Sequence, residues 1–255
     1  MTTSYPEVGA ISKGSGLGDQ LFIGGLDIGA DINSISSLAT PRGTLPATDI
    51  TQSAEARMFG KRDAMADFTA YFDDAANASH STLKTLPRTD VHLMYLRGAG
   101  LDKEALGLVG KQVTYDPTRG DDGSFLFGVN VQSSAYGADW SKQLTAGKVT
   151  HASATNVTAI DTAASKSFGF QAYLQVFSIG SGTATVTIED SADNVSFTPV
   201  TSGAFTNVTA STVERIQSSS DTGTVRRYVR VATSGVFTNL VFAVAVNKNN
   251  AARAI

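Results

Sequence analysis

Between Phe168 and Val246 the chain breaks into short apolar, β-branched runs, and this pattern constrains the fold more than any other feature. The runs are Phe168–Phe177, Ala184–Glu189, Phe197–Val200, Thr212–Ile216, Val225–Val231 and Val241–Val246. Turn-forming residues separate them, as in Ser178–Gly182 and Asp190–Asn194. Runs this short, bounded by Gly, Ser, Asn and Asp, are too brief for helices and match strands at regular spacing. The expectation is an antiparallel β-sandwich. Leu240–Val246 is apolar on both faces, which predicts a place at the centre of a sheet. No fixed-period repeat occurs, which argues against a solenoid or propeller.

The first half is also strand-rich. Leu26, Ile28, Ala30 and Ile32 alternate within Leu21–Ile35, which reads as one half-buried strand. Phe68, Ala70 and Phe72 share a face, as do Val91, Leu93 and Tyr95. Val109–Tyr115 and Phe125–Gln132 read as a hairpin joined by the turn-rich Asp116–Gly123. Ala39–Ile50 holds two prolines and a glycine and reads as loop. Ala75–Leu86 is the best helix, with Asp73 and Asp74 before it and Pro87 after it. The fold class is therefore all-β with one short flanking helix.

Composition agrees. Ser and Thr supply 55 of 255 residues, while charged residues supply only 17%, against about 25% in ordinary soluble domains. So little charge hints that part of the surface is covered, for instance by further copies of the chain. The net charge of −3 argues against gripping nucleic acid through a basic face. No cysteine is present, which removes disulfides, thiolate metal sites and a Cys nucleophile. No apolar run approaches a membrane span, and the first twenty residues lack the apolar core of a signal peptide. Residues 1–150 carry 17 acidic and 13 basic side chains; residues 151–255 carry 6 and 7. The change falls in the small, polar tract His151–Ser165, a linker or edge segment. It suggests an arm at 1–20, a domain at 21–152 and a second domain at 153–255.

Catalytic chemistry leaves little trace. His80, His92 and His151 lie in no metal-binding spacing, and no Gly-x-Ser-x-Gly elbow occurs. Gly14–Asp19 lacks the flanking strand, helix and lysine of a phosphate loop. The carboxylates of Glu189, Asp190 and Asp193, and of Asp116, Asp121 and Asp122, do not follow a calcium loop and suit turns. No enzyme activity, cofactor or metal is expected. Arg226, Tyr228 and Arg230 fall on one face of a strand with Val225, Val229 and Val231 on the other, a candidate outer-face contact for acidic or carbohydrate ligands.

A set of motifs in order carries more information. Leu26–Ser34, Thr48–Arg57, Arg62-Asp63, Phe68–Phe72, His80–Leu86, Val109–Ser124 and Tyr136–Trp140 follow one another. Together they resemble the major tail proteins of long, flexible-tailed bacteriophages, particularly those of actinobacterial hosts. Glu189–Asn194 and Thr224–Val231 resemble the β-sandwich that such proteins often carry. The resemblance implies a tail-tube β-sandwich or barrel followed by a second sandwich on the outside. It also implies six-fold rings stacked into a hollow tube that conducts DNA to the host. The implied partners are further copies of itself and the tape-measure and terminator proteins, with DNA passing through the lumen unbound. The implied location is the virion tail, after synthesis in the host cytoplasm.

Two segments have too little periodic apolar character to make core: residues 1–20 and Ala39–Arg62. Both are expected to order against neighbouring subunits, with Ser12, Leu17, Leu21, Thr44, Leu45, Met58, Phe59 and Arg62 as candidate interface residues. The rival reading is a two-domain adhesin or carbohydrate-binding module. It draws on the Thr-rich sandwich and on Arg226, Tyr228 and Arg230, and is opposed by there being a single tryptophan, Trp140.

Overall fold

The structure, a computed structural model, describes residues 16–252; Ser12 lies outside the described residues. These form eighteen strands, one 3₁₀ turn and one five-residue helix. In the first half the elements are β1 (Gln20–Ile23), β2 (Leu26–Asp27), β3 (Ile32–Ala39), β4 (Arg42–Pro46), β5 (Arg57–Arg62) and β6 (Met65–Tyr71). Helix α1 (Ser79–Leu83), β7 (Val91–Leu96), β8 (Glu104–Gln112), β9 (Asp116–Arg119) and β10 (Phe125–Gln143) follow. The second half contains β11 (Val149–His151), β12 (Ile160–Asp161), β13 (Phe170–Ser178), β14 (Ser181–Ser191), β15 (Thr198–Ala204), β16 (Thr212–Gln217), β17 (Tyr228–Thr238) and β18 (Leu240–Lys248).

Four local expectations need correction. Asp116–Arg119, expected within a hairpin turn, is instead strand β9 paired with Phe125–Gly128, which leaves Gly120–Ser124 as the turn. The single strand over Leu21–Ile35 is instead the hairpin β1–β2, a 3₁₀ turn at Gly29–Asp31 and the start of β3. Gly24 and Gly25 have φ of 60° and 81° and form a two-residue turn between Ile23 and Leu26. Two consecutive positive φ values are what a tight hairpin needs and what glycine supplies. The helix at Ala75–Leu86 shrinks to α1, because Asn77 is left-handed at φ 66° and Leu86 at 42°. The Asp73 carboxylate accepts from the Ala75 N–H at 2.9 Å, and the Asp31 carboxylate from the Ser79 N–H at 2.9 Å, so side chains hold this turn. Finally, Ala39–Arg62 is not a loop: β4 and β5 pair as a separate two-stranded sheet.

The largest sheet runs β16-β13-β18-β10-β8-β7-β1-β2, with β6 also on β10 and β3 on β6. A second sheet runs β12-β17-β14-β15. β18 pairs with β13, β10 and β11, the central place that its two apolar faces demand. β10 is the pivot. Its first part pairs with β6 and β9, and its end pairs with β18. Between them the register against β8 slips from Ser133 to Ala138, where Ala135 and Gly137 have φ of 67° and 69°. Such a bulge lets one strand turn a corner between two sheet walls.

Three apolar cores result. The first gathers Leu21, Ile23, Phe68, Leu93, Leu106, Leu108, Phe127 and Val129. The second lies between the β13/β18 wall and the β14/β17 wall, with Phe170, Leu174, Val186, Ile188, Val229, Val231, Phe242 and Val244. The third joins the halves. Phe22, Met94, Leu96, Ala105 and Val109 come from one side, and Tyr173, Ala243 and Ala245 from the other. Alternation explains how one strand serves two cores: in β8, Ala105 and Val109 face the junction while Leu106 and Leu108 face the first core. The Gln175 side chain closes the junction, donating to the His92 carbonyl at 2.9 Å and accepting from the Gly25 N–H at 2.8 Å.

Gly107 sits where Tyr173 of the second half packs on β8. A Cβ there would lie 2.4 Å from the Tyr173 ring. Gly107→Ala is therefore expected to destabilise the fold by about 1–3 kcal/mol, the usual cost of overpacking, read as a lower urea midpoint.

Burial lowers the pKa of both His92 and His151 from the ordinary 6.5; at His92 Asp90 opposes the shift, whereas at His151 burial is the cause. The His151 Nδ1 lies 2.9 Å from the Thr233 hydroxyl, and its ring meets Phe242 edge-on. As pH falls below 6.5 the unfolded chain takes up protons that the folded form resists. The stability these groups contribute is therefore complete above 6.5 and lost as pH falls toward their folded values. Urea midpoints at about pH 7.5 and 5.5 are expected to fall on acidification. The fall should be smaller for His151→Gln, which keeps a hydrogen-bonding side chain without the titration.

Candidate subunit interface

The β4–β5 hairpin brings together most of the interface residues named from sequence. Thr44 faces Phe59, Leu45 faces Met58, and Arg42 faces Arg62 across the pair. Every residue from Thr40 to Glu55 is exposed. Leu45 is 53% exposed, Met58 57%, Phe59 77% and Ile50 fully so. A two-stranded hairpin is marginal alone in water, and this one buries little against its own chain. Exposed apolar side chains clustered on one protrusion make this arm the candidate contact surface.

The tip is organised locally. The Asp49 carboxylate accepts from the Thr51 N–H at 2.8 Å and the Thr51 hydroxyl at 2.6 Å. These bonds lower the Asp49 pKa, the hydroxyl bond most. The Ala47 N–H donates to the Ala56 carbonyl at 2.9 Å, and the Ala56 N–H to the Thr48 hydroxyl at 2.8 Å. Glu55 pairs with Arg57.

The base is anchored. Arg62 donates to Asp139 at 2.6 Å and to the Ala138 carbonyl at 2.6 Å. The Asp139 side chain has no solvent exposure, and its other oxygen accepts from the Tyr173 hydroxyl at 2.8 Å. Burial first, and then the Asp139 charge, pushes the Tyr173 hydroxyl well above its ordinary pKa. Asp139 lies opposite Gly107 in the ladder, so the missing side chain at 107 gives the Tyr173 ring its route to the carboxylate. Arg215 stacks on Tyr136 at 4.1 Å beside this network. Sequence reasoning missed the Asp139–Tyr173 link; its one signal was a carboxylate inside the Tyr136–Trp140 motif.

The other named residues lie apart from the arm. Leu17 is 90% exposed, but Leu21 is 2% exposed and packs in the first core. Asp19 ties the start of β1 down, accepting from the Gly98 N–H at 2.9 Å and from the Tyr95 hydroxyl. Burial first, then Asp19, pushes Tyr95 up to about 12. Arg226 and Arg230 are occupied within the chain. Arg226 donates to Asp190 at 2.6 Å, while Arg230 donates to Glu189 at 2.8 Å and lies 4.0 Å over the Phe197 ring. Tyr228 is half-buried beneath Arg227, which pairs with Asp161. Asp193 is a turn cap, accepting from the Val195 and Ser196 N–H groups at 2.9 Å. His80 packs on Phe72 and bonds Tyr115. Among the described residues no group of three or more His, Asp or Glu is placed to hold a metal ion, and no helix is long and apolar enough to cross a membrane.

No protein-family model matches the chain, and no curated protein matches it. Solved structures do. A chain in the virion of a native gene transfer agent particle is 14% identical, with a TM-score of 0.39, covering 50% of this chain and 98% of that one. The SPP1 Dit protein, described as a hub adsorption apparatus in phages infecting Gram-positive bacteria, is 12% identical. Its TM-score is 0.33, covering 91% of this chain and 99% of that one. A chain of the phage p2 baseplate in its activated conformation is 10% identical, with a TM-score of 0.35 and the same coverage. At these identities and scores the likeness assigns no residue a role.

Removing Arg62 leaves the buried Asp139 charge with Tyr173 as its remaining named partner. Arg62→Met is expected to cost about 2–3 kcal/mol, less than the full price of breaking a buried pair because Arg62 is partly solvated. Adding Asp139→Asn should recover part of that loss in a double-mutant cycle of urea midpoints.

Proposed function

We propose that this chain is a structural protein of a phage tail whose copies assemble into rings stacked as a hollow tube. The observation that carries the reading is the β4–β5 arm, a protrusion whose apolar side chains stay more than half exposed among the described residues. The ordered motif resemblance, which includes the arm segment Thr48–Arg57, supports it independently. On this reading residues 21–152 build the tube wall and 153–255 decorate its outside. The partners are further copies and the tape-measure and terminator proteins, and the location is the virion tail. The net charge of −4 on residues 1–150 suits a lumen that lets a polyanion slide, since a basic wall would hold it.

A second reading, a carbohydrate-binding or adhesin module, has one observation in its favour. Trp140 is 46% exposed and lines a cleft of about 360 Å³ with Asp102, Glu104 and Lys248. Burial, with Lys166 nearby, lowers the Lys248 amine to about 8.

Electron microscopy of the purified full chain over a range of concentration and salt separates the two. Rings or hollow tubes are expected. Replacing residues 43–60 by a short Gly/Ser turn should leave a folded monomer by circular dichroism and abolish assembly. Tubes from the armless variant would overturn the role of the arm. Wild-type monomers under every condition, together with glycan binding lost in Trp140→Ala, would replace the tube reading with the second one.

A further inference from the structure

At the base of the arm lies a groove of about 700 Å³. Arg42, Phe59, Lys61, Arg62, Tyr136 and Arg215 are among its walls. It is strongly basic. Among the described residues Asp63 is the one acid in the lining, and its carboxylate is used by the Ala64 N–H and the Ser133 hydroxyl. Arg62 is matched by Asp139. Arg42 and Lys61 are exposed and, among the described residues, face no carboxylate in an ion pair. Arg42 lies 5.5 Å over Phe59, and Arg215 lies over Tyr136, so cationic and aromatic surfaces interleave. This surface calls for an occupant that is acidic and carries an apolar side chain.

The far end of the same arm has that chemistry. Asp49 is exposed and, among the described residues, in no ion pair; Glu55 is exposed and paired with Arg57; and Ile50 between them is fully exposed. The Asp49 carboxylate uses one oxygen for Thr51, and the other is free for a cation. The arm cannot fill its own groove. Strands β4 and β5 hold base and tip apart by their length, about 15 Å at 3.3 Å per residue.

We propose that the arm tip of one copy seats in the basic groove at the base of the next copy's arm, with Asp49 against Lys61 and Arg42 and Ile50 against Phe59 and Tyr136. This rests on the self-assembly reading above and supplies its contact. Each copy carries one tip and one groove, so the interface is head-to-tail. Such contacts close into a ring or continue as a filament, according to the rotation between copies. Exposed opposite charges are screened by salt over about 8–10 Å at 0.1–0.15 M, so assembly should weaken as salt rises.

Charge reversal in the full chain tests it. Asp49→Lys alone and Lys61→Glu alone should each raise the critical concentration for assembly about tenfold, because like charges then meet across the contact. Sedimentation and electron microscopy read the effect. The chain carrying both changes should assemble to within about threefold of wild type. An equimolar mixture of the two single variants should also co-assemble, since each tip then meets a complementary groove. The pair Asp49→Lys and Arg42→Glu repeats the test at the second proposed contact, should Lys61→Glu misfold. Single variants that assemble like wild type would overturn the proposal. So would loss in the singles with no recovery in the double variant or the mixture, which would mean that something other than the tip occupies the groove. A wild-type chain that never assembles refutes the tube reading itself, and the proposal with it.

Discussion

One buried carboxylate decides how the parts of this protein are oriented. Asp139 receives the Arg62 guanidinium from the arm and the Tyr173 hydroxyl from the second half. An ion removed from water is tolerated only when its lone pairs are met in good geometry. The carboxylate therefore fixes where β5 leaves the body and how β13 lies over β8. It sits on β10, the strand that already turns a corner between walls, so arm, junction and corner share one element. The direction in which the arm points is consequently a property of the whole chain and not of the hairpin.

The same junction bears on how separable the two halves are. Phe22, Met94, Leu96 and Val109 are almost fully covered, and part of that cover is Tyr173, Ala243 and Ala245. Phe22 also meets Phe177 edge-on at 4.8 Å. Cutting the chain near residue 152 would expose this surface at about 25 cal/mol per Å² of apolar area. It would also remove the acceptor of the Gly25 N–H and one of the two donors to the His92 carbonyl, which would keep the Gly24 N–H. Failure of such a fragment to assemble would thus reflect an opened core. Substitutions that leave the junction intact are the cleaner probes of assembly.

Much of the architecture was legible because period-2 alternation survives wherever one face is buried. β6, β7 and, among the eight strands of the second half, β13, β14, β15, β16 and β18 lie close to their expected positions. β17 starts at Tyr228 and not Val225, so Arg226 falls outside the strand face expected for it. The two apolar faces of β18 announced its central place. Errors came where turn chemistry or tertiary contacts overrode periodicity. Apolar residues at every second position continued through Gly24-Gly25, so a hairpin looked like one strand. Ala75–Leu86 looked helical by spacing, yet Asp31, distant in sequence, supplies the carboxylate that fixes the Ser79 turn. The candidate interface residues Thr44, Leu45, Met58 and Phe59 were singled out because they are apolar or β-prone within a segment with too little periodic apolar character to make core, and the structure leaves Leu45, Met58 and Phe59 exposed. Their pairing was not visible, since neither strand alternates against a core of its own. The Asp139–Tyr173 link was hidden because it joins residues from separate strands, and only Gly107 between them makes room for it.

The free edges of the sheets point the same way as the arm. An unpaired strand edge is a template for another chain unless charge, proline or brevity blunts it. β16 pairs only with β13 but carries Glu214 and Arg215, and β15 pairs only with β14 but contains Pro199. β3 pairs only with β6, is eight residues long and carries no charge or proline. It leads within three residues into β4, so this edge, unpaired among the described residues, and the exposed arm are a continuous strip of backbone. The chain protects the edges of its second half and leaves open the edge beside its arm. On the proposed reading, that asymmetry places the open edge in the half that would make the contacts of assembly.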